Sequence, residues 1–415
     1  MSEHRAPLKA FTGYGIELEY MIVDADRLAV LPVADRLLRA AAGDAVSEVT
    51  VGPLGWSNEL ALHVIEFKTD GPVPTLKGAA AAFAAAVEAA NRLLTPLDGR
   101  LMPSAMHPWM DPGRETRLWP YDNGPIYAAY NRIFGCSGHG WANLQSAHLN
   151  LPFHGDDEFA RLHAAIRLLL PILPALAASS PFREGRSTGL LDTRLDTYRG
   201  NQRRIPSLTG EVIPEPVYSR AAYRREILQR LYRDIAPFDP ERVLRHEWLN
   251  SRGAIARFER DTIEIRVLDV QECPAADLAV LAAAVAVLKA LVSERWQPLA
   301  LQERWPVAPL AAILQDTIRF GGEAVIGDAD YLAAFGFGRG QGRAGDLWRH
   351  LVEALLPGGA ADEPAVARTL AVILGEGTLA RRLLLAAGEE PSPATLHEIY
   401  HTLCVCLEKG ESFHA

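Results

Sequence analysis

Two stretches far apart in the chain have hydrophobic residues at alternate positions, and they constrain the fold more than anything else in it. In Gly15-Ile16-Glu17-Leu18-Glu19-Tyr20-Met21-Ile22-Val23, Ile16, Leu18, Tyr20 and Ile22 fall on one side of an extended chain. Glu17 and Glu19 fall on the other, because successive side chains of a strand point to opposite faces. Thr262-Ile263-Glu264-Ile265-Arg266-Val267-Leu268-Asp269 repeats the pattern. Ile263, Ile265 and Val267 make its apolar face, and Thr262, Glu264, Arg266 and Leu268 make the other. Antiparallel sheets with one packed and one wet face accommodate both stretches.

The wet faces read two ways. Carboxylates two apart repel each other and favour a neutralising cation, so Glu17 and Glu19 are either metal ligands or ordinary residues of a solvated face. Glu264 and Arg266 are either a same-face ion pair of little worth or a metal-binding carboxylate beside a guanidinium. Such a guanidinium meets phosphate or carboxylate through two parallel hydrogen bonds.

Further residues of the same chemistry lie between the two strands. Glu59, His63 and Glu66 in Asn58–Thr69 fit one helical face at i, i+4 and i+7. The run is fenced by Gly55 and by Asp70-Gly71-Pro72, so a strand suits it equally. As a strand it needs a bulge to bring Glu59 and Glu66 to one face, because their spacing is odd. Leu144–Leu151 alternates again, with Leu144, Ser146, His148 and Asn150 on one face and Gln145, Ala147 and Leu149 on the other. A histidine and an asparagine on a central strand are costly to bury unless they meet ligand, metal or other polar groups.

Val33–Ala42, the alanine-rich Thr75–Leu97, Tyr127–Phe134 with Arg132, Ala221–Tyr232, Ala276–Leu291 and Pro393–Glu408 read as helices. Asp157–Ser180 reads as a helix kinked at Pro171 and Pro174. Glu48–Gly55 and Leu101–His107 read as strands, the second carrying His107 to the rim of a sheet. The loop through Arg183, Arg186, Arg194 and Arg199 suits an anion-binding segment or a solvated one. Past about Gln297 the pattern is helical. Phe335–Arg343 has glycines at alternate positions but no Gly-Lys-Ser/Thr, and reads as a flexible connector rather than a P-loop.

With 415 residues, 49% of them hydrophobic, the chain can bury one large core or two domains. The net charge of −9 argues against a nucleic-acid binder. Met1–Leu8 has no apolar leader, and apolar runs such as Leu278–Leu291 fall short of the roughly 20 residues of a membrane span. Cys136, Cys273, Cys404 and Cys406 are too scattered for a disulfide scaffold. A cytoplasmic protein with no membrane partner is expected.

In order, the motifs are Gly15-Ile16-Glu17-Leu18-Glu19, Glu59…Glu66, Gln145-x-x-His148-x-Asn150, Ser179-Ser180-Pro181-Phe182, Gly189…Arg194 and Thr262-Ile263-Glu264-Ile265-Arg266. From about Phe11 to Leu291 this order resembles the bacterial carboxylate–amine ligases of glutamate–cysteine ligase family 2. The resemblance implies an α+β fold in which a curved, mainly antiparallel β-sheet forms a funnel with helices outside, akin to glutamine synthetase. It implies a catalytic core over 1–295, a helical C-terminal region over 296–415 packed on the same domain, and ATP-dependent amide formation through an acyl phosphate. Carried over by position, Glu17, Glu19, Glu59, Glu66, His148 and Glu264 would bind magnesium, with manganese an alternative. Glu59 stands where some relatives in the wider superfamily carry aspartate. Arg266 would face the transferring phosphate, with Glu264 beside it as the other catalytic residue. Arg132 and Arg194 would bind substrate or phosphate, and Gln145 would support the site. The implied partners are small-molecule amino acid and amine substrates, glutamate and cysteine foremost, in glutathione biosynthesis. A homodimer is compatible with this.

The chemistry fits the residue types. A carboxylate is a poor electrophile, and phosphorylating it makes a mixed anhydride that an amine can attack. Gathering several anionic oxygens calls for magnesium held by carboxylates, and an arginine fork stabilises charge on the transferring group. Three other readings compete: the same chemistry with a different amine, a zinc hydrolase using His63, His107 and His148, and a catalytically silent binding homologue. The chain has no His-Glu-x-x-His, and carboxylates outnumber imidazoles among the candidate ligands, which favours magnesium. An intact acidic cluster weighs against the silent homologue.

Overall fold

The alternating stretches pair with one another in the computed structural model, which describes residues 7–357, 363–388 and 390–415. The strands are β1 (Gly15–Asp24), β2 (Glu48–Val51), β3 (Leu54–Asn58), β4 (Val64–Thr69), β5 (Gly99–Met102), β6 (Ser146–Pro152), β7 (Ala254–Arg257) and β8 (Thr262–Asp269). They form one eight-stranded sheet in the order β2-β3-β4-β1-β6-β8-β7, with β5 pairing β1 off that path. Every pairing in it is antiparallel. The first half of β1 pairs with β6 and the second half with β5, so β1 lies at the centre and changes neighbour along its length.

The apolar face of this sheet is covered by helices. Ile16, Leu18, Tyr20 and Ile22 of β1 are fully buried, as are Ile263 and Ile265 of β8. Against them pack α1 (Ala34–Ala42), α2 (Ala79–Leu94), α4 (Gly155–Leu169) and α6 (Pro274–Val292), while α3 (Gly124–Phe134) and α5 (Thr193–Gly200) stand over the opposite, polar face and join the same continuous core. The alanines of α2 recur every three or four residues on its buried side, and small side chains let a helix sit close to a sheet. In α4, Asp156, Asp157 and Glu158 occupy the first turn, where the helix dipole favours negative charge, and the chain tightens into a 3-10 turn at Pro171.

The helix α6 is longer than the sequence pattern suggests. At 19 residues and a mean hydropathy of 2.2 it is long and apolar enough to cross a membrane, yet 78% of that window is buried inside the protein. It is a core helix of this fold.

Residues beyond α6 share the same core. Leu310 and Leu314 of α7 (Val307–Phe320), Leu347 and Trp348 of α8 (Ala344–Leu355) and Leu370 of α9 (Pro364–Glu376) belong to it. A second cluster joins α10 (Leu379–Ala387) and α11 (Pro393–Lys409) to Met21, Val23 and Met102 of the sheet. Arg382 on α10 and Glu272 make a fully buried ion pair at 2.8 Å. The glycine-rich 335–343 segment is pinned by buried Phe335 and Phe337, and Gly342–Arg343 pairs with Val325–Ile326.

Three local expectations are corrected. Asn58–Thr69 is neither a helix nor one strand: it is the turn and second strand of a β3–β4 hairpin, with Ser57 opposite Glu66 and Asn58 opposite Ile65. The strand before His107 stops at Met102, and His107 is wholly buried, its Nε2 bonded to the Leu28 carbonyl. Leu268 faces the core rather than sharing a face with Glu264. The register with β6 shifts between Ile265 and Leu268, so one extra residue reverses the alternation beyond Arg266.

Candidate active site

Register alone assembles the acidic face. Residues directly opposite in an antiparallel pair share a side of the sheet. Glu17 stands opposite His148 on β6 and Lys68 on β4; Glu19 stands opposite Glu66; Glu264 stands opposite Asn150. Four neighbouring strands thus converge on one patch. Gly15, also opposite Asn150, has to be glycine, because a Cβ there would lie 2.9 Å from the Asn150 Cβ. Glu59 arrives from the hairpin turn rather than from a strand, which resolves its odd spacing from Glu66.

Two groups in this patch have the geometry to hold a cation. Glu17, Glu66 and His148 form one, and Glu19, Glu59 and Glu66 the other; within each, the candidate ligand atoms lie within 4.8 Å of one another. Among the described residues, neither group includes His63 or His107. His63 is buried against the Ala142 carbonyl, so the three-histidine arrangement of a zinc hydrolase is not assembled.

Hydrogen bonds fix the members. His148 bonds Glu17 Oε2 through Nδ1 and Ser146 Oγ through Nε2, each at 2.8 Å. The Ser146 backbone N–H donates to Glu19 Oε2 at 2.8 Å. Asn150 donates to Glu17 Oε1 at 3.0 Å, and Ser57 to Glu66 Oε2 at 2.7 Å.

The electrostatics of this patch suit a cation. Burial, followed by the nearby Glu19 and Glu66, pushes the Glu59 carboxyl well up. Burial and then Glu17 raise Glu66 from 4.5 to about 7, against the opposing pull of Lys68. Burial would raise Glu17 as well, but its hydrogen bond and ion pair with His148 prevail and bring it to about 2. Burial disfavours the His148 cation, yet the bond to Glu17 and the surrounding carboxylates carry it to about 9. Carboxyls that hold protons near neutrality for want of positive charge mark where a divalent ion fits.

A test follows from the signs. A carboxyl with a raised folded-state pKa stabilises the fold fully below its unfolded value and ceases to do so as pH rises through the folded one. For Glu66 that window runs from 4.5 to about 7. His148 acts in the same direction between 6.5 and about 9. Magnesium at about 100 times its pH 8 Kd, kept at one concentration at both pH values, is expected to add ~2.7 kcal/mol to stability at pH 8. The shift in melting temperature, followed by scanning fluorimetry, should be larger at pH 8 than at pH 5. A shift of equal size at both, or none, would count against the cation site.

Glu264 and Arg266 close the patch on the β8 side. Arg266 Nε lies 2.8 Å from Glu264 Oε1, and Arg257 Nη1 lies 3.2 Å from Glu264 Oε2. The register shift in β8 also turns Asp269 to this side, opposite Ser146. There it pairs with the Arg194 guanidinium through Nε and accepts from the Ser179 N–H and the Ser180 hydroxyl, each at 2.8 Å. Sequence alternation had hidden Asp269, and the bulge that exposes it leaves no mark in the pattern.

The patch is the common wall of two cavities. One, of about 700 Å³, runs over β1, β4 and β8 past Lys68, Arg257 and Arg260. The other, of about 420 Å³, is bounded by α3, α5 and the turns around Trp141 and Trp248. Glu19, Glu59, His148 and Arg266 line both. Arg194 lines the second. Arg132 is not brought in: it is exposed on α3 and pairs with Glu241 at 3.2 Å. Gln145 is buried with both side-chain polar atoms unpartnered and lines neither cavity.

Comparison with known proteins gives a consistent picture. Residues 14–395 match the pattern of glutamate–cysteine ligase family 2. An uncharacterised protein of Archaeoglobus fulgidus is 38% identical over 281 residues, covering 68% of this chain and 75% of that protein. A protein of Rubrobacter xylanophilus with the provisional name glutamate–cysteine ligase 2-3 is 30% identical over 186 residues, 44% of this chain and 47% of that protein. Among solved structures, glutamate–cysteine ligase from Francisella tularensis in complex with AMP superposes with a TM-score of 0.62 at 11% identity, covering 97% of this chain and 90% of that one. The fold, with its mainly antiparallel sheet and outer helices, is therefore shared with that enzyme.

Proposed function

Because the chain belongs to glutamate–cysteine ligase family 2, we propose that it is an ATP-dependent carboxylate–amine ligase that joins the side-chain carboxylate of glutamate to an amine through an acyl phosphate. The observation that carries this reading is the common wall, where two carboxylate groups of metal-ligand geometry meet Arg266 between two cavities. Its substrates are then small molecules in the cytoplasm, where ATP is at hand. Cysteine is the acceptor named by the resemblance.

Each part of the wall has a task in such a reaction. Glu17, Glu19, Glu59, Glu66 and His148 would hold magnesium, together with Glu264 nearby. The metal would neutralise phosphate oxygens and polarise the transferring group. Lys68, Arg257 and Arg260 set cations among the carboxylates of the larger cavity, which suits nucleotide phosphates held together with magnesium. Arg266, held by Glu264, presents its remaining N–H groups where charge spreads over the phosphoryl oxygens. Arg194, clamped by Asp269, is the group for the donor's α-carboxylate in the smaller cavity. Enclosure between the sheet and α3 keeps water from the acyl phosphate.

The test is ADP release and product mass with glutamate, an amine, ATP and magnesium, each omitted in turn, and repeated with Glu264→Gln. Release should need all four components and fall at least ~100-fold in the variant. The product should be γ-linked. ADP formed equally fast without glutamate, or an α-linked product, would overturn the proposal.

A further inference from the structure

We infer that the amine joined by this enzyme carries no carboxylate of its own and has a flat apolar body, an arylalkylamine rather than cysteine or another amino acid. The inference rests on the ligase reading above and names the acceptor class for the same site.

The first argument is a count of cations. Among the described residues lining the smaller cavity, the guanidiniums are those of Arg194 and Arg266. His148 lies between Glu17 and Glu19 and belongs to the acidic wall. In the proposed reaction Arg266 faces the phosphoryl group and Arg194 takes the donor's α-carboxylate. Both guanidiniums are thus engaged before an acceptor enters. An amino acid would bring a second carboxylate beside Glu19 and Glu59. The charge of any magnesium they hold is already answered by those carboxylates and the phosphates, and no side-chain cation lining the cavity is left to meet it. Burying an unpaired carboxylate beside others is strongly unfavourable. An amine without a carboxylate avoids that cost.

The second argument is the lining. Tyr127, Tyr130, Trp141, Tyr198 and Trp248 border the cavity. The Tyr130 ring lies 5.0 Å from that of Trp141, inclined at 47°, and 6.0 Å from that of Trp248, at 45°. Tilted rings of this kind receive another flat ring at edge or face, and their faces attract an ammonium. Trp141 Nε1 and the Tyr198 hydroxyl are buried without hydrogen-bond partners. This wall offers large apolar area and neutral donors, but no cation.

The bond-making step balances simply. The amine nitrogen attacks the acyl carbon, a C–N bond forms and the C–O bond to phosphate breaks. The electron pair leaves with phosphate. Of the two protons shed by the ammonium, one ends on hydrogenphosphate and one in solvent.

The test pairs each amino acid with its decarboxylated counterpart: cysteine with cysteamine, alanine with ethylamine, phenylalanine with phenethylamine, tyrosine with tyramine. Product mass and kcat/KM are measured with glutamate, ATP and magnesium, and hydroxylamine serves as a small nucleophile that traps the acyl phosphate. We expect each amine to exceed its amino acid at least tenfold, and phenethylamine to exceed ethylamine at least tenfold. Trp248→Ala should lower kcat/KM for phenethylamine at least tenfold more than for hydroxylamine, and Trp248→Phe should restore most of it. Glutamyl amide formed with cysteine or phenylalanine equally well as, or better than, with the matching amine would overturn the inference and leave the ligase reading standing. Absence of hydroxamate and of any glutamyl amide would overturn both.

Discussion

Arg266→Lys is expected to keep the fold and lose glutamate-dependent turnover by ~10³-fold. The side chain is held from one side only, by Glu264 at its Nε and by the Asn250 carbonyl 3.4 Å from Nη1. The residue lines both cavities. A lysine can replace the charge but not the planar fork that meets two oxygens of one phosphoryl group. Lysine keeps a positive charge opposite the buried Glu264, which Arg257 also pairs, so the melting temperature should move by no more than a few degrees. Steady-state ADP release and thermal unfolding of the same preparation decide the matter. A loss of stability in proportion to the loss of activity would show that the Glu264–Arg266 pair is a structural brace.

Arg194→Ala is expected to damage both fold and binding. Arg194 is 2% exposed and Asp269 wholly buried, and each is the other's charge partner. Deleting the guanidinium strands a carboxylate that retains only its bonds from Ser179 and Ser180. Breaking a buried pair in this way costs about 3–5 kcal/mol. If Arg194 also receives the donor's α-carboxylate, the KM for glutamate should rise by ~100-fold, the worth of a charge-assisted contact of about 3 kcal/mol. Asp269→Asn separates the two effects. It leaves the guanidinium present but without its clamp, so KM for glutamate should rise by a smaller factor while that for ATP stays unchanged. A rise in KM for ATP alone would instead place Arg194 on the phosphate side.

Much of this arrangement was legible in the sequence, because strand alternation is a strong local signal. Glu17 and Glu19 on β1, His148 and Asn150 on β6, and Glu264 and Arg266 on β8 each fell on the correct face from spacing alone. What spacing does not carry is register. That Glu17 meets His148 and Glu19 meets Glu66 is decided by which strands pair and where. A one-residue irregularity is equally silent: alternation puts Leu268 on the wrong face and gives Asp269 no place in the site, because nothing in Ile265-Arg266-Val267-Leu268 announces a bulge. Glu59 was ambiguous for a similar reason, since a hairpin turn and a helix place the same residues at compatible spacings. Arg132 illustrates the opposite error. A cation on a helix beside a site can belong to the solvent face, and only the rotation of that helix decides. The aromatic wall was invisible because its rings come from α3, α5 and two separate turns and meet only in the folded chain.

That last feature gives the protein two independent building materials. The acidic wall is made of sheet: its members sit opposite one another on β4, β1, β6 and β8, and shifting any of them by one residue would scatter the rest. The rings of the smaller cavity are borne by a helix face and by turns outside the sheet, where exchange of a side chain leaves strand register untouched. Phosphoryl transfer and acceptor choice are therefore subject to different rules of change. A lineage, or an engineer, could replace Trp141, Tyr198 and Trp248 to admit another amine while the four strands continue to gather the same carboxylates.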